Sequence, residues 1–396
     1  MVKNDFLKYQ GQTTPHPLAI EISHANGSYI YDANGKKMLD FVAGVSANTL
    51  GHNHPKVTNA IKNQLDSYTH VMVYGEFIQK PQLELCKALA KTLPENLSSV
   101  YIVNSGTEAT EGALKLAKRF TGRDEMIAAK NSYHGNTQGA MSVCGAEQQN
   151  RAFRPLVPGI KFIEFNNEAD LAKITTKTAG VILETIQGGA GFIEPQNNYL
   201  TKVKQRCEEV GALLILDEIQ TGIGRTGKFW GFENYNVIPD IIITGKGLGG
   251  GMPIGAFIAS FEIMNCLKEN PKLGHITTFG GHPVIASAGL ATVKEITESN
   301  LIEETLRKEK LIRDKFKNNT AIKEIRGRGL MLALLVESPE IASKVILNCL
   351  DKGLILFWLL FEGSAIRITP PLTISDKEIN EGCDFILNEL NVFIQD

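Results

Sequence analysis

The sequence predicts an α/β protein, with a mostly parallel central sheet in a large domain and a smaller α+β domain towards the C-terminus. Three observations carry that expectation. Short runs rich in Val, Ile and Leu recur along the chain: SSVYIVN, GVILE, LLILDE and DIIIT. They are apolar almost throughout rather than at alternate positions, which suits strands covered on both faces. Helical periods stand between strands, and strand, helix, strand in succession implies right-handed crossovers. The texture then changes after His282-Pro283, where long helical stretches lead into a shorter αβ segment.

Taken in order, the opening residues run irregularly into a hairpin, with YIYD and KKMLDF as arms and Ala33-Asn34-Gly35 as the turn. SSVYIVN reads as a strand and TEATEGALKLAKRF as the helix that follows it. NYLTKVKQRCEEVG, between GVILE and LLILDE, has a helical period closed by Gly211. Beyond residue 282, IASAGLATVKEITES, LIEETLRKEKLIRDKF and DKEINEGCDFILNEL read as helices. We expect residues 1–45 to pack with the small domain, residues 46–290 to form the large domain and residues 291–396 the small one.

Composition excludes several partners. The net charge of -2 over 396 residues leaves no electrostatic footprint for nucleic acid. No basic run would hold an acidic membrane surface. The longest apolar run, Leu354 to Phe361 (LILFWLLF), is far too short to span a bilayer. The six cysteines are scattered with no CxxC pair, as in a reduced cytosolic protein, and MVKNDFLKYQ lacks a signal peptide's apolar stretch. A cytoplasmic protein is expected.

Two glycine motifs fail on inspection. GIGRTG (Gly222 to Gly227) and GKGLGG (Gly245 to Gly250) both match GxGxxG. A dinucleotide site needs those glycines to open a helix whose N-terminus meets the pyrophosphate. The next residues are KFWGFENYNVIPD in one case and GMPIGAFIAS in the other, and neither segment is helical. GIGRTGKF also falls short of a P-loop, because Phe229 stands where a magnesium-binding hydroxyl is required.

A different constellation survives. Asp217 ends the LLILDE strand, where a carboxylate must be paired or fully hydrogen-bonded. Lys246 ends the DIIIT strand and enters a run of glycines. Either residue alone is explained as well by a turn aspartate or a solvated loop lysine. Together they suit pyridoxal phosphate, whose aldehyde condenses with a lysine and whose pyridinium nitrogen needs an anionic partner. Asn104-Ser105-Gly106-Thr107, between a strand and a helix, offers N–H groups and hydroxyls for a phosphate, although Ser105 or Thr107 also suits simple N-capping. Tyr133-His134-Gly135 offers an aromatic face for the ring, or merely a core aromatic.

With these residues in place the sequence resembles the class-III (ornithine/acetylornithine-type) pyridoxal-phosphate aminotransferases of fold type I. The resemblance runs from GHNHP near residue 51 to IRITPPL near residue 366, and LDEIQTGIGRTGKF is its most specific segment. It implies catalytic roles for Lys246 and Asp217, a Gln220 contact to the ring hydroxyl and a supporting role for Glu184. It implies phosphate contacts from Gly106 and Thr107, stacking by Tyr133, and substrate carboxylate binding by Arg367, which otherwise reads as a structural ion pair. It also implies that Thr278 of TTFGGHP reaches a neighbouring subunit's cofactor, hence a homodimer with shared active sites. The implied reaction moves an amino group, ω-amino by the same resemblance, to an α-keto acid such as 2-oxoglutarate by a ping-pong mechanism.

Four positions depart from the ornithine-type pattern. Gly189 stands where a glutamate usually pairs with the carboxylate-binding arginine; Asn136, Pro15 and Val45 replace an arginine, a tyrosine and another aromatic. An amine or ω-amino-acid donor, with pyruvate or 2-oxoglutarate as acceptor, is therefore the alternative. An aminomutase, racemase or decarboxylase on the same scaffold, or a non-catalytic cofactor-binding relative, are the remaining rivals.

Overall fold

The computed structural model describes residues 2–72 and 75–393. Its centre is a seven-stranded sheet, ordered Ser99–Val103, Gly255–Ala259, Ile241–Gly245, Leu213–Asp217, Thr178–Glu184, Glu125–Ala129, Ile160–Ile163. From Ile241–Gly245 to Ile160–Ile163 every pairing is parallel. Gly255–Ala259 runs antiparallel to both neighbours. The all-apolar runs are the buried strands they were expected to be: no residue of Thr178–Glu184, Leu213–Asp217 or Ile241–Gly245 is exposed.

Helices cover both faces. Gly106–Thr121 lays Ala109, Ala113 and Leu116 against Phe257 and Ile243 on one side. On the other, Tyr199–Val210 contributes Leu200, Val203 and Cys207, and ends at Gly211 in the left-handed conformation. The helix Pro283–Glu298 adds Ala286, Ala288, Val293 and Ile296 to this same core, so it packs on the large sheet along its length.

A second core lies under the antiparallel strands Glu324–Arg328, Met331–Leu335, Ala365–Ile368 and Phe357–Trp358. It also takes Leu39 and Phe41 from the N-terminal segment. The expected hairpin is present as Tyr29–Asp32 and Lys37–Asp40, and its second arm pairs with Leu354–Ile355, which joins the two ends of the chain in one sheet. Two N-terminal elements were not anticipated. Helix Val2–Tyr9 buries no residue, and strand Ile22–Asn26 shows mostly exposed side chains, so neither carries a period that burial would impose.

The two cores meet at Arg225, in the middle of the GIGRTG motif. Its side chain is fully buried and donates to the carbonyls of Leu330 and Pro370 and to Thr49 Oγ1. Burial pulls its pKa down to about 9. Beside it, residues Ala43, Gly44, Val45 and Ser46 all have left-handed φ angles (51°, 59°, 58° and 66°), an arrangement costing about 1–2 kcal/mol per non-glycine residue. Asp40 holds this turn by accepting the N–H groups of Val42 and Ala43, and Thr369 holds it by donating to Phe41 and Val42 carbonyls. Replacing Arg225 with methionine fills the volume but leaves two buried carbonyls without donors, at about 1–3 kcal/mol each. The expected result is a loss of about 3 kcal/mol in stability, measured by denaturant unfolding; an unchanged midpoint would show that the clamp contributes nothing.

Candidate active site

The parallel strands place their carboxyl ends at one edge of the sheet, where open α/β sheets bind ligands. A cavity of about 500 Å³ lies there, lined by Gly106, Thr107, Tyr133, His134, Glu184, Asp217, Gln220, Lys246 and Arg367 among others. Nine of the expected site residues are thus brought together. Two are not: Ser105 caps the helix it precedes, accepting from Glu108 N at 3.3 Å, and Thr278 lines a separate cavity.

Register explains the assembly. Glu184 and Asp217 are direct neighbours across adjacent parallel strands, and Asp217 in turn pairs with Ile243, three residues before Lys246. Asp217 is buried and accepts from His134 Nδ1 at 2.7 Å and from Ile219 N at 2.9 Å. Glu184 accepts from Tyr133 N at 3.1 Å and Gly188 N at 2.8 Å. Its pKa is pushed up to about 7 by burial, opposed by His134 and reinforced by Asp217. Gln220 Nε2 donates to Ser46 Oγ at 3.3 Å, which ties the strained turn to the cavity.

Lys246 is half-buried, with a φ of 40° that few non-glycine residues adopt. Its amine is driven below its ordinary pKa by burial; Asp217 pulls it back up and Arg367 adds to the fall. The glycines around it allow close approach. A Cβ on Gly255 would sit 2.0 Å from Ser105 O, so only glycine lets this strand pass under the phosphate-facing loop. At that loop Thr107 Oγ1 lies 2.9 Å from Thr137 Oγ1, at the positive end of helix Gly106–Thr121.

Arg367, from strand Ala365–Ile368, is buried, and burial brings its pKa down to about 10. Among the described residues neither Nε nor Nη1 has a hydrogen-bond partner. Among the described residues these two atoms give no support to a structural ion pair, the alternative for this residue. The cavity's far wall was missed by the sequence reading: Phe357, Trp358, Leu359 and Leu360 line it, and LILFWLLF had been weighed only as a membrane span.

The family model for aminotransferase class-III matches residues 10–390. The chain belongs to the class-III aminotransferases. It is 38% identical to the acetylornithine aminotransferase of Caldanaerobacter subterraneus subsp. tengcongensis, over 94% of this chain and 95% of that one. It is 35% identical to the LysW-aminoadipate semialdehyde/glutamate semialdehyde transaminase of Sulfolobus acidocaldarius, over 93% and 94% of the two chains. In structure it is similar to the ornithine aminotransferase of Toxoplasma gondii, with a TM-score of 0.91, 29% identity and 99% and 94% of the chains covered; that enzyme holds PLP at its active site. The chain is accordingly a transaminase of fold type I that uses pyridoxal phosphate. The residues present fit that cofactor: a lysine with a depressed pKa, a buried carboxylate, a helix N-terminus and an unpaired arginine share one cavity.

Glu184 gives this site a pH signature. Its folded-state pKa near 7 lies above the ordinary carboxylate range, so the folded protein binds the extra proton between them. Stability from this group is present at low pH and is lost as pH rises through about 7. Glu184→Gln removes the dependence. The stability of cofactor-free wild type relative to Glu184→Gln should fall by about 3 kcal/mol between pH 5 and pH 8, at about 1.4 kcal/mol per pKa unit. A flat or rising difference would contradict a raised pKa.

Proposed function

We propose that this aminotransferase moves the ω-amino group of an ornithine- or acetylornithine-like donor to an α-keto acid such as 2-oxoglutarate, in two alternating half-reactions. The observation that carries the reading is the buried, unpaired Arg367 in the same cavity as Lys246. A planar guanidinium accepts a carboxylate through two parallel hydrogen bonds, which fixes the substrate's orientation. The names of the relatives support the donor class, since they include acetylornithine and semialdehyde transaminases. Gly189 and Asn136, where the ornithine-type pattern has charged residues, favour a second reading, an amine or ω-amino-acid donor with pyruvate or 2-oxoglutarate as acceptor.

When bound, pyridoxal phosphate acts as a sink for the electron pair left by a departing proton. The chain's own residues do the rest. The Lys246 amine, driven below its ordinary pKa by burial, would hold the cofactor and, once released from it, would serve as the base that takes up the substrate's proton. Asp217, which accepts from His134 Nδ1 and Ile219 N, would supply the anionic partner of the pyridinium nitrogen. Gly106 and Thr107 would hold the phosphate, Tyr133 would cover the ring, and Gln220 and Glu184 would hold the ring hydroxyl edge, all five lining the one cavity.

A homodimer completes the site. Thr278 is exposed in a second cavity, about 210 Å³, where Gln79 Oε1, Gln82 Oε1 and His282 Nδ1 are buried without partners among the described residues. Around it Ile78 is 92% exposed and Phe77 and Phe279 more than half exposed, an apolar surface that a second copy would cover. Among the described residues no helix is long and apolar enough to cross a membrane, and every cysteine is free; we place the protein in the cytoplasm.

Three measurements test these assignments. Adding donors singly to the loaded enzyme should bleach the cofactor's visible band, and a keto acid should restore it; bleaching without restoration would favour a decarboxylase or mutase. Borohydride reduction should fix the cofactor's mass on wild type and not on Lys246→Ala; a mass gain on the variant would place the link elsewhere. Co-expressed Lys246→Ala and Thr278→Ala chains should recover activity that Lys246→Ala homodimers lack and exceed Thr278→Ala homodimers per intact Lys246. If Thr278 served its own chain, activity per intact Lys246 would not exceed that of Thr278→Ala homodimers.

A further inference from the structure

The stretch that carries Tyr133 and His134 has no regular structure of its own to hold it. Residues 132–137 belong to no helix or strand, so their backbone groups must find partners elsewhere. Many of those partners stand on one face of the helix Gly106–Thr121, where Thr107, Thr110 and Glu111 follow one another. Thr107 Oγ1 accepts from Thr137 N at 3.2 Å, and Glu111 Oε1 accepts from Gly139 N at 2.9 Å and Ala140 N at 3.2 Å. The approach is close: a Cβ on Gly135 would lie 2.3 Å from Thr107 Oγ1, and one on Gly139 2.2 Å from Glu111 Oε2.

Thr110, fully buried on that face, places Oγ1 2.9 Å from His134 O and 3.2 Å from Gly106 O. The contact to Gly106, one turn back, is what a threonine inside any helix makes. The contact to His134 is not local. It ties the helix that begins at Gly106 to the residue whose Nδ1 donates to Asp217 at 2.7 Å. Cys144 holds the other side of the same residue: its Sγ accepts from His134 N at 3.0 Å and lies 3.5 Å from Gly135 O and 3.3 Å from Ala140 O. Burial pushes this thiol up to about 11, so it keeps its proton and donates as well as accepts. Both backbone groups of His134 are thus held by side chains. Its ring has less to fix it, since Nε2 is buried without a partner among the described residues. Neither Thr110 nor Cys144 lines the cavity, so each can act on a cofactor only through what it holds.

We propose that Thr110, assisted by Cys144, is a positioning residue that sets His134 against Asp217 from the phosphate-facing helix, so that both ends of the cofactor site are held as one body. This rests on the cofactor placement proposed above, with the phosphate at Gly106 and the ring nitrogen at Asp217. A hydroxyl is a better partner than a thiol, which is a weak donor and a weak acceptor, so Thr110 provides the firmer hold. Without it the His134 carbonyl is buried with its side-chain donor gone, and the peptide turns to find another. The imidazole moves with the peptide, and Asp217 loses the alignment of a charge-assisted bond. Helix and clamp then no longer grip the cofactor at a fixed separation.

The test uses the cofactor-loaded enzyme and two readouts. One is the downfield proton resonance of His134 Nδ1–H, assigned by its absence from His134→Gln; the other is the rate at which the visible band is lost on dilution into a cofactor scavenger. Thr110→Val keeps the volume and removes the hydroxyl. It should move the resonance upfield or lose it to exchange with water, and should release the cofactor about fivefold faster, the factor that one neutral hydrogen bond is worth. Thr110→Ser restores the hydroxyl and should match wild type in both. Should Thr110→Val fail to fold, Cys144→Ala removes the other hold and should shift both readouts in the same direction. A lowered unfolding midpoint in Thr110→Val, with resonance and release as in wild type, would show a purely structural threonine and overturn the proposal. So would Thr110→Ser behaving as Thr110→Val. Asp217→Asn separates the two levels: it should also speed release. If it does so while Thr110→Val does not, the cofactor placement stands and Thr110 has no part in it; if Asp217→Asn releases at the wild-type rate, the placement itself fails and this inference falls with it.

Discussion

The site depends on holding an amine and two carboxylates out of water in one cavity. Separately each would be untenable, since an unpaired buried ion costs several kcal/mol even after relaxation. The sheet resolves this by register. Glu184 and Asp217 lie side by side, and Lys246 follows from the next strand, so the charges arrive together at the strand ends. Asp217 is satisfied by His134 and a backbone N–H, whereas Lys246 has its pKa lowered by the same burial. Burial thus moves the lysine towards its neutral form, the form that condenses with an aldehyde.

A second acid at the same strand end shows the contrast between supporting and reacting groups. Glu218 comes immediately after Asp217 but points away from the cavity, where Thr185 Oγ1, Thr221 Oγ1, Gly231 N and Phe232 N all donate to it. Burial still pushes its pKa up to about 7. With four donors it fixes the loop after the strand, and so the direction in which Asp217 leaves the sheet. Arg225 does the corresponding work between the cores, donating to Leu330, Pro370 and Thr49, and its neighbours Gly224 and Gly227 take the positive φ angles of the turn that carries it.

Much of this was legible in the sequence, because burial on both faces forces unbroken apolar runs and each such run announced its strand. Asp217 and Lys246 were legible for a related reason, since charge at the end of an apolar run requires an explanation, whereas Glu184 and Arg367 were singled out only by the family resemblance. What stayed hidden was what no local pattern encodes. His134 gave no sign that its Nδ1 would meet Asp217, because the two approach from the ends of different strands. The left-handed turn at Ala43–Ser46 contains one glycine and three residues that ordinarily avoid that conformation; only contacts from both cores hold it. Phe361 and Gly189 are far apart in the chain, and each looks ordinary until the ring is seen in the space the glycine leaves.

The two ends of the cavity discriminate on different scales. Each methylene buried against the Phe357–Leu360 wall is worth about 0.8 kcal/mol, so adjacent chain lengths differ only several-fold in binding. A desolvated ammonium without a partner costs several kcal/mol, a difference of orders of magnitude. A wall of this kind therefore sorts substrates sharply by charge and loosely by length. The polar end must then supply position, and in the proposed function a substrate carboxylate held by Arg367 would do so, its span to Lys246 selecting length while the apolar wall selects against charge.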